Sequence, residues 1–228
     1  MKVILKGWDS NFFNLKVGEY KVENNVGQNV KAAHFDLIYC YSECEINLSL
    51  SNFLNSYSEI QLNFRKKIIP INYKHPEIFE LNQLSEFDIN ELYELAYESG
   101  KYSRFKLDPK FSEKQFQELY EKWIDNSINS QFADIFLIFF KDEKITGFVT
   151  CNVGKDSGSI GLLAVNENQQ GKGIGRILIH SLESYLHKSN IEILNVVTQS
   201  ENNVAVDFYT KMGFELITKK YIKHYWKL

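Results

Sequence analysis

Proline is scarce in this chain, with three residues in 228. No proline-rich tract, low-complexity run or internal repeat is visible, which excludes a stiff linker and a solenoid array. Charge of one sign is also lacking. A formal net charge of −3 is far from the basic surface that general nucleic-acid binding requires. Long apolar runs are missing too. The longest, "IFLIFF" at 135–140, is far too short to span a bilayer, and the opening "MKVILKGWDS" has no secretory pattern. Cysteine is limited to Cys40, Cys44 and Cys151, an odd number without zinc-ligand spacing. The expectation is free thiols in a reducing cytoplasm, with no metal, no membrane and no nucleic acid as partner.

What is present is an ordinary apolar content with abundant Phe and Tyr, enough for one large domain or two small ones. Residues 1–75 alternate short strand-like stretches with polar turns. "MKVILKG", "VGEYKV", "FDLIYCYS" and "EIQLNFRKKI" read as strands. "NVKAAHF" (29–35) and "SLSNFLNSY" (49–57) read as short helices. "PINYKHPEIFELN", with Pro70 and Pro76, reads as a connector. The expected division is an N-terminal β-rich subdomain over 1–75 and a second domain over 76–228.

The second region has clearer periodicity. "DINELYELAYES" places Ile89, Leu92, Leu95 and Ala96 at helical spacing. The pattern breaks at Pro109. Ser112 and Gln115 then form a capping-box pair before "EKQFQELYEKWIDNSI". "DIFLIFF" and "ITGFVTCNV" predict a hairpin turning at Lys141–Lys144, and "GSIGLLAV" a third strand. An amphipathic helix follows, lined by Ile174, Ile177, Leu178, Leu182, Tyr185 and Leu186. "IEILNVVTQ" reads as a strand and "NNVAVDFYTKMG" as a short helix closed by Gly213, while "FELITK" and "YIKHYWKL" end the chain as two strands. The order is ααβββαβαββ, a mixed α/β layered fold.

Between the third strand and the long helix stands Gln170-Gly171-Lys172-Gly173-Ile174-Gly175-Arg176. A strand, a glycine turn and a helix start present free N–H groups to an anion, and absent Cβ atoms allow close approach. The spacing is not G-x-G-x-x-G, and no Gly-Lys-Ser/Thr follows as in a P-loop. Taken alone, the turn is equally compatible with a tight connection that binds nothing.

It does not stand alone. Gln170, Gly173 and Gly175 match the Q/R-x-x-G-x-G/A motif of the GNAT acetyltransferases. Asn202, Ala205, Phe208, Tyr209, Gly213 and Phe214 match that superfamily's N-x-x-A-x-x-F-Y-x-x-x-G-F. "WDSNFF" at 8–13, "SRF" at 103–105, "IGLLAV" at 160–165 and "VTQ" at 197–199 further resemble the dTDP-fucosamine acetyltransferases. The resemblance is dense over 100–228 and patchy before that.

It implies a GNAT fold, a mixed central sheet flanked by helices, with the N-terminal β-rich subdomain as an addition. It also implies acetyl-CoA as co-substrate and the 4-amino group of a nucleotide-activated 4-amino-4,6-dideoxy sugar as acceptor. Backbone groups of Leu163 and Val165 would pair with the pantetheine arm and supply an oxyanion donor, and Gln170 through Arg176 would take the pyrophosphate. Lys172 and Arg176 carry charge suited to that anion. Asn202 would bond the pantetheine arm or cap its own helix, with Asn203 a rival for the cap. Tyr209 would be the general acid toward the leaving thiolate. A model tyrosine near 10 and a thiol near 8.5 make full transfer uphill by roughly 2 kcal/mol, so hydrogen bonding to the sulfur is the core of that role.

For the acceptor, two basic stretches would attract a second diphosphate: Arg104, Lys106 and Lys110, and Lys219, Lys220, Lys223 and Lys227. Tyr102, Phe105 and Trp226 are the aromatic candidates for a base or sugar. Asp9, Glu98, Asp134 and His224 are conceivable general bases, none favoured over a water chain. Another amine (an amino acid, a polyamine, a protein N-terminus) and a non-catalytic CoA-binding module remain open, as does a homodimer.

Overall fold

The stretch "SEIQLNF" alternates polar and apolar side chains, the period of a strand with two unlike faces. In the computed structural model, which describes residues 2–23, 30 and 32–228, it is the middle of β4 (Phe53–Lys67). Before it come β1 (Ile4–Leu5), α1 (Gly7–Phe13), β2 (Val17–Lys21) and β3 (Leu37–Ser42). After it come β5 (Ile78–Glu80), α2 (Ile89–Gly100), α3 (Arg104–Leu107), α4 (Glu113–Ile128), β6 (Ile135–Lys141), β7 (Lys144–Val153) and β8 (Ser157–Val165). α5 (Ile174–Lys188), β9 (Ile193–Gln199), α6 (Asn203–Lys211) and β10 (Glu215–Lys227) complete the chain.

The ten strands of the described residues form one sheet, in the order β1-β2-β3-β10-β4-β9-β8-β7-β6-β5. The pairs β2–β3 and β8–β9 are parallel and the others antiparallel. Period-2 alternation sends neighbouring side chains into opposite cores. Ile138 and Phe148 pack with Leu92 and Leu95 of α2, Phe105 of α3 and Leu119 of α4. Leu137 and Val149 pack with Leu178 and Leu182 of α5 and Tyr209 of α6. This is the α/β architecture expected, with extra N-terminal strands.

The expected boundary near residue 75 lies in the connector between β4 and β5, but strands from its two sides interleave, since β4 sits between β9 and β10. The helix expected over 49–57 is instead a turn at Asn52 (φ 64°) leading into β4. The helix expected over 29–35 lies partly outside the described residues. Its described end, from Ala32, is a turn closed by the Phe35 N–H donating to the Ala32 carbonyl. The connector contains β5, which pairs along the edge of β6. The two final strands are one, because "TKKY" holds no turn former and β10 crosses its register shifts without breaking. The "WDSNFF" stretch forms α1, ended by Asn14 in the left-handed conformation (φ 52°).

Several local signals hold as written. Ser112 accepts from the Gln115 N–H and the Gln115 side chain accepts from the Ser112 N–H, at 3.2 and 2.9 Å. The β6–β7 turn puts Asp142 and Glu143 both at positive φ (50° and 60°), the two-residue turn that matches strand twist. Cys40, Cys44 and Cys151 are free thiols. Among the described residues no helix is long and apolar enough to cross a membrane.

Candidate active site

The site begins where β8 stops following its neighbours. On one side, Thr150 of β7 faces both Gly161 and Leu162, a bulge, and its Oγ1 accepts the Leu162 N–H at 2.9 Å. On the other side, pairing with β9 runs from Ser157↔Ile193 to Ile160↔Val196 and ends, although both strands continue. The two strands therefore splay. Asn166 donates its N–H to the Thr146 carbonyl on the β7 side (2.9 Å). With Leu162 and Asn166 both turned toward β7, alternation turns the backbone groups of Leu163 and Val165 into the gap. The Val165 carbonyl there accepts from Gln170 Nε2 at 3.1 Å, tying the glycine turn to the strand edge.

The glycine turn opens α5 without a side-chain cap. Gly173 occupies the cap position at φ 84° and Gly171 lies at φ 75°, backbone that a Cβ would strain. The first N–H groups of this 15-residue helix have no helical partner and point with the positive end of its dipole. Gly175 has a different reason to lack a side chain. A Cβ there would stand 3.2 Å from Phe208 of α6, so glycine lets the two helices close on each other. Lys172 Nζ donates to Gln169 Oε1 (2.9 Å), and Arg176 is exposed at the helix start. A cleft of about 870 Å³ runs past this turn, between Val165 and Phe208. Its free N–H groups and open strand edge suit a pyrophosphate on an extended amide-bearing arm.

Tyr209 stands at the inner end of that cleft, fixed by the way α6 ends. The Phe214 N–H donates to the Tyr209 carbonyl and the Gly213 N–H to that of Thr210, both at 3.0 Å, with Gly213 at φ 83°. This is a Schellman cap, and its usual apolar contact is here the Tyr209–Phe214 ring pair (centroids 5.4 Å). At the other end of α6, Asn202 caps the helix by accepting the Ala205 N–H (3.1 Å), and Asn203 is the first helical residue. Burial pushes the Tyr209 phenol well above its ordinary pKa, so it remains a proton donor throughout the neutral range.

Leu163, Asn202, Ala205 and Tyr209 also line a second cavity of about 400 Å³. Gln199, Gln61 and Glu59 of the sheet line it, and the sheet register shows what lies beside them on the same face, since directly paired residues share a face. One row is Gln199–Gln61–Lys220, the next Glu59–Ile222–Tyr41, and the next Tyr57–His224–Tyr39. Trp8 and Asp9 of α1 and Arg104 of α3 close over it. Glu59 accepts from Tyr57 Oη (3.2 Å) and Gln61 Nε2 (3.1 Å). Burial raises its pKa, while Arg104 opposes the rise. The Arg104 guanidinium lies over Tyr39 (4.5 Å) and Phe105 (4.8 Å) and donates to the Tyr41 hydroxyl (2.9 Å).

The residues expected to hold the cofactor, from Leu163 and Val165 through the glycine turn to Asn202 and Tyr209, line one cleft. On the acceptor side the result is mixed. Arg104 and Phe105 line the cavity, Phe105 with its ring packed on Phe13 and Phe111. Trp226 lines neither cavity, because its Nε1 donates to Asp108 (3.0 Å) and its ring packs on Phe111. Tyr102 lies along the cofactor cleft instead. Of the conceivable bases, Asp9 lines the smaller cavity and Glu98 the larger cleft. Asp134 is turned to the Val153 N–H (2.7 Å), and His224 is fully buried on Asp108 (2.6 Å). Glu59 is the residue sequence reasoning missed. The signal was there: a polar residue every second position on a strand that proves central.

A family model described as "Acetyltransferase (GNAT) family" matches residues 89–214, more than half of the chain. The spore coat polysaccharide biosynthesis protein SpsD of Bacillus subtilis is 27% identical over 153 residues, 67% of this chain and 53% of that protein. The match thus spans about half the length of that relative. The spermidine N(1)-acetyltransferase of Thermoplasma acidophilum is 27% identical over 142 residues, 60% of this chain and 88% of that one. Among solved structures, a GNAT-family protein from Novosphingobium aromaticivorans superposes with TM-score 0.57 at 13% identity, covering 85% of this chain and 75% of that one. The splayed strand, the glycine-capped helix and the family match agree, and the chain belongs to the GNAT acetyltransferase family.

Proposed function

We propose that the protein transfers the acetyl group of acetyl-CoA to the 4-amino group of a nucleotide-activated 4-amino-4,6-dideoxy sugar. The co-substrate supplies an activated acetyl thioester. The turn from Gln170 to Arg176 holds its pyrophosphate, and the backbone of Leu163 and Val165 holds the pantetheine arm as an added strand. A backbone N–H of the same edge takes the oxyanion charge. Tyr209 donates a hydrogen bond to the sulfur as it leaves.

The observation that carries the acceptor class is the mixed charge of the acceptor cavity. Asp9 and Glu59 line it together with Lys6 and Arg104. Carboxylates suit an amine, and cations suit a phosphate on the same molecule. The relative SpsD, named for polysaccharide biosynthesis, supports the same direction. The second reading is a polyamine acceptor, favoured by the two carboxylates and by the relative named a spermidine acetyltransferase.

Free-thiol release from acetyl-CoA separates the two. dTDP-4-amino-4,6-dideoxygalactose, its glucose epimer and spermidine are each supplied as acceptor. Saturable release with one sugar epimer, at a kcat/KM at least ~100-fold above that for spermidine, is the expected outcome. Release with spermidine and with neither sugar would overturn the sugar acceptor in favour of the polyamine.

A further inference from the structure

Two cations from distant parts of the chain meet at one tyrosine. Arg104, at the start of α3, donates from Nη1 to the Tyr41 hydroxyl (2.9 Å). Lys220 of β10 places its Nζ 5.0 Å from the centre of the Tyr41 ring. Among the described residues neither cation makes an ion pair with a carboxylate. Of their neighbours in the two basic stretches, Lys106 pairs with Glu113 and Lys227 donates to the Ala33 carbonyl.

A guanidinium has five N–H donors, and Tyr41 takes one of Arg104's. Aromatic rings on Tyr39 and Phe105 fix its plane, so the remaining donors are held in one orientation. Lys220 shares its row with Gln61 and Gln199, which line the acceptor cavity, and Tyr41 shares the next row with Glu59. Successive rows on one face lie about 7 Å apart, a span that two linked phosphates bridge.

We infer that Arg104 and Lys220, joined through Tyr41, form a subsite for the diphosphate of a nucleoside-diphosphate-linked acceptor. The inference rests on the nucleotide-sugar reading above and adds the residues that would recognise the nucleotide half. Arg104 offers its planar fork to phosphate oxygens, and exposed Lys220 adds a point charge at the Tyr41 ring. Glu59 and Asp9 are the carboxylates beside them. They line the same cavity and would face the amine of the acceptor while the two cations face its diphosphate.

The test uses the full chain as wild type, Lys220→Gln and Arg104→Gln. Calorimetry reads the binding of dTDP alone, and steady-state kinetics reads the KM for the nucleotide-linked amino sugar. Loss of one charge-assisted contact predicts a rise of about 10-fold in both constants for Lys220→Gln and about 100-fold for Arg104→Gln. Wild-type affinity for dTDP falls as salt rises. Lys220 is exposed, so Lys220→Gln serves where Arg104→Gln disturbs folding, and an acetyl-CoA-induced rise in Tm checks that the cofactor cleft is intact. Unchanged dTDP binding and unchanged KM in Lys220→Gln would overturn the subsite while leaving the sugar acceptor standing. A wild type that acetylates spermidine and neither binds dTDP nor uses the nucleotide sugar would overturn both.

Discussion

Tyr209 and Glu59 are both buried ionisable side chains facing the same cavity, but burial acts on them with opposite consequences. A phenol held above its usual pKa is neutral at pH 7 and has a proton to offer the leaving thiolate of the proposed reaction. Tyr209→Phe keeps the ring that packs on Phe208 and Phe214 and loses only the donor. Its kcat should fall about 100-fold, with acetyl-CoA affinity held within about twofold. A kcat within a few-fold of wild type would remove the hydroxyl from the chemistry. Glu59 is a carboxyl whose pKa is raised chiefly by desolvation, so its contribution to stability is present at low pH and lost as pH rises through its folded pKa. Glu59→Gln therefore gains Tm relative to wild type as pH goes from 4 to 7. At pH 7 its kcat/KM for the proposed amine acceptor should be at least tenfold below wild type, because the carboxylate that would face the amine is gone. Thermal scans at the two pH values, paired with kinetics at pH 7, check the trade. A loss of stability that grows with pH contradicts it.

At the scale of elements, the readable parts of the chain were those whose structure is set within a few residues. The capping box of Ser112 and Gln115, the glycine turn before α5 and the Gly213 cap behind Tyr209 are all local devices, and each formed where the sequence placed it. The start of β4 shows the contrary case. Leu50, Phe53, Leu54 and Tyr57 repeat at helical spacing, yet the segment from Phe53 is held against β10, at the far end of the chain, with Lys227 opposite Phe53 and Trp226 opposite Leu54. Long-range pairing overrode the local period. The smaller cavity was legible only in single residues, Asp9, Arg104 and Phe105, for the same reason: Tyr41, Glu59, Arg104 and Lys220 become neighbours only through strand register and the α3 crossing. The β6–β7 turn carries a cost that can be measured. Asp142 and Glu143 both hold positive φ without being glycine, at about 1 kcal/mol or more each. Glu143→Gly should raise stability by about 0.5–1 kcal/mol, some 1–4 °C in Tm, with no change in kinetics. A lower Tm would show that Glu143 makes a compensating contact.

The whole molecule is closed by strands and side chains that cross the chain's sequence midpoint. β4 pairs with β9 from Gln61↔Gln199 to Lys67↔Ile193 and with β10 from Arg65↔Glu215 to Phe53↔Lys227. A chain of residues 76–228 loses the strand between β9 and β10 and exposes Val196, Phe214 and their neighbours, so it should give no cooperative thermal transition; a sharp one would show that 76–228 folds without its N-terminal partner. A buried polar cluster reinforces this closure. Asp108, just after α3, accepts from Ser56 of β4 (2.9 Å) and from His224 (2.6 Å) and Trp226 (3.0 Å) of β10. Desolvation drives the His224 pKa down to about 4, and the Asp108 hydrogen bond only partly opposes it. An unfolded histidine titrates near 6.5. Between about pH 6.5 and 4 the unfolded chain therefore takes a proton that the folded chain refuses, and stability falls as pH falls, by up to about 1.4 kcal/mol per pH unit from this one group. His224→Gln retains a donor for Asp108 and removes the titration. Urea unfolding at several pH values between 4 and 7 should give a shallower slope for the variant by close to one proton, whatever its stability at pH 7. Parallel slopes would mean that His224 is protonated in the folded protein and that Asp108, not burial, sets its charge.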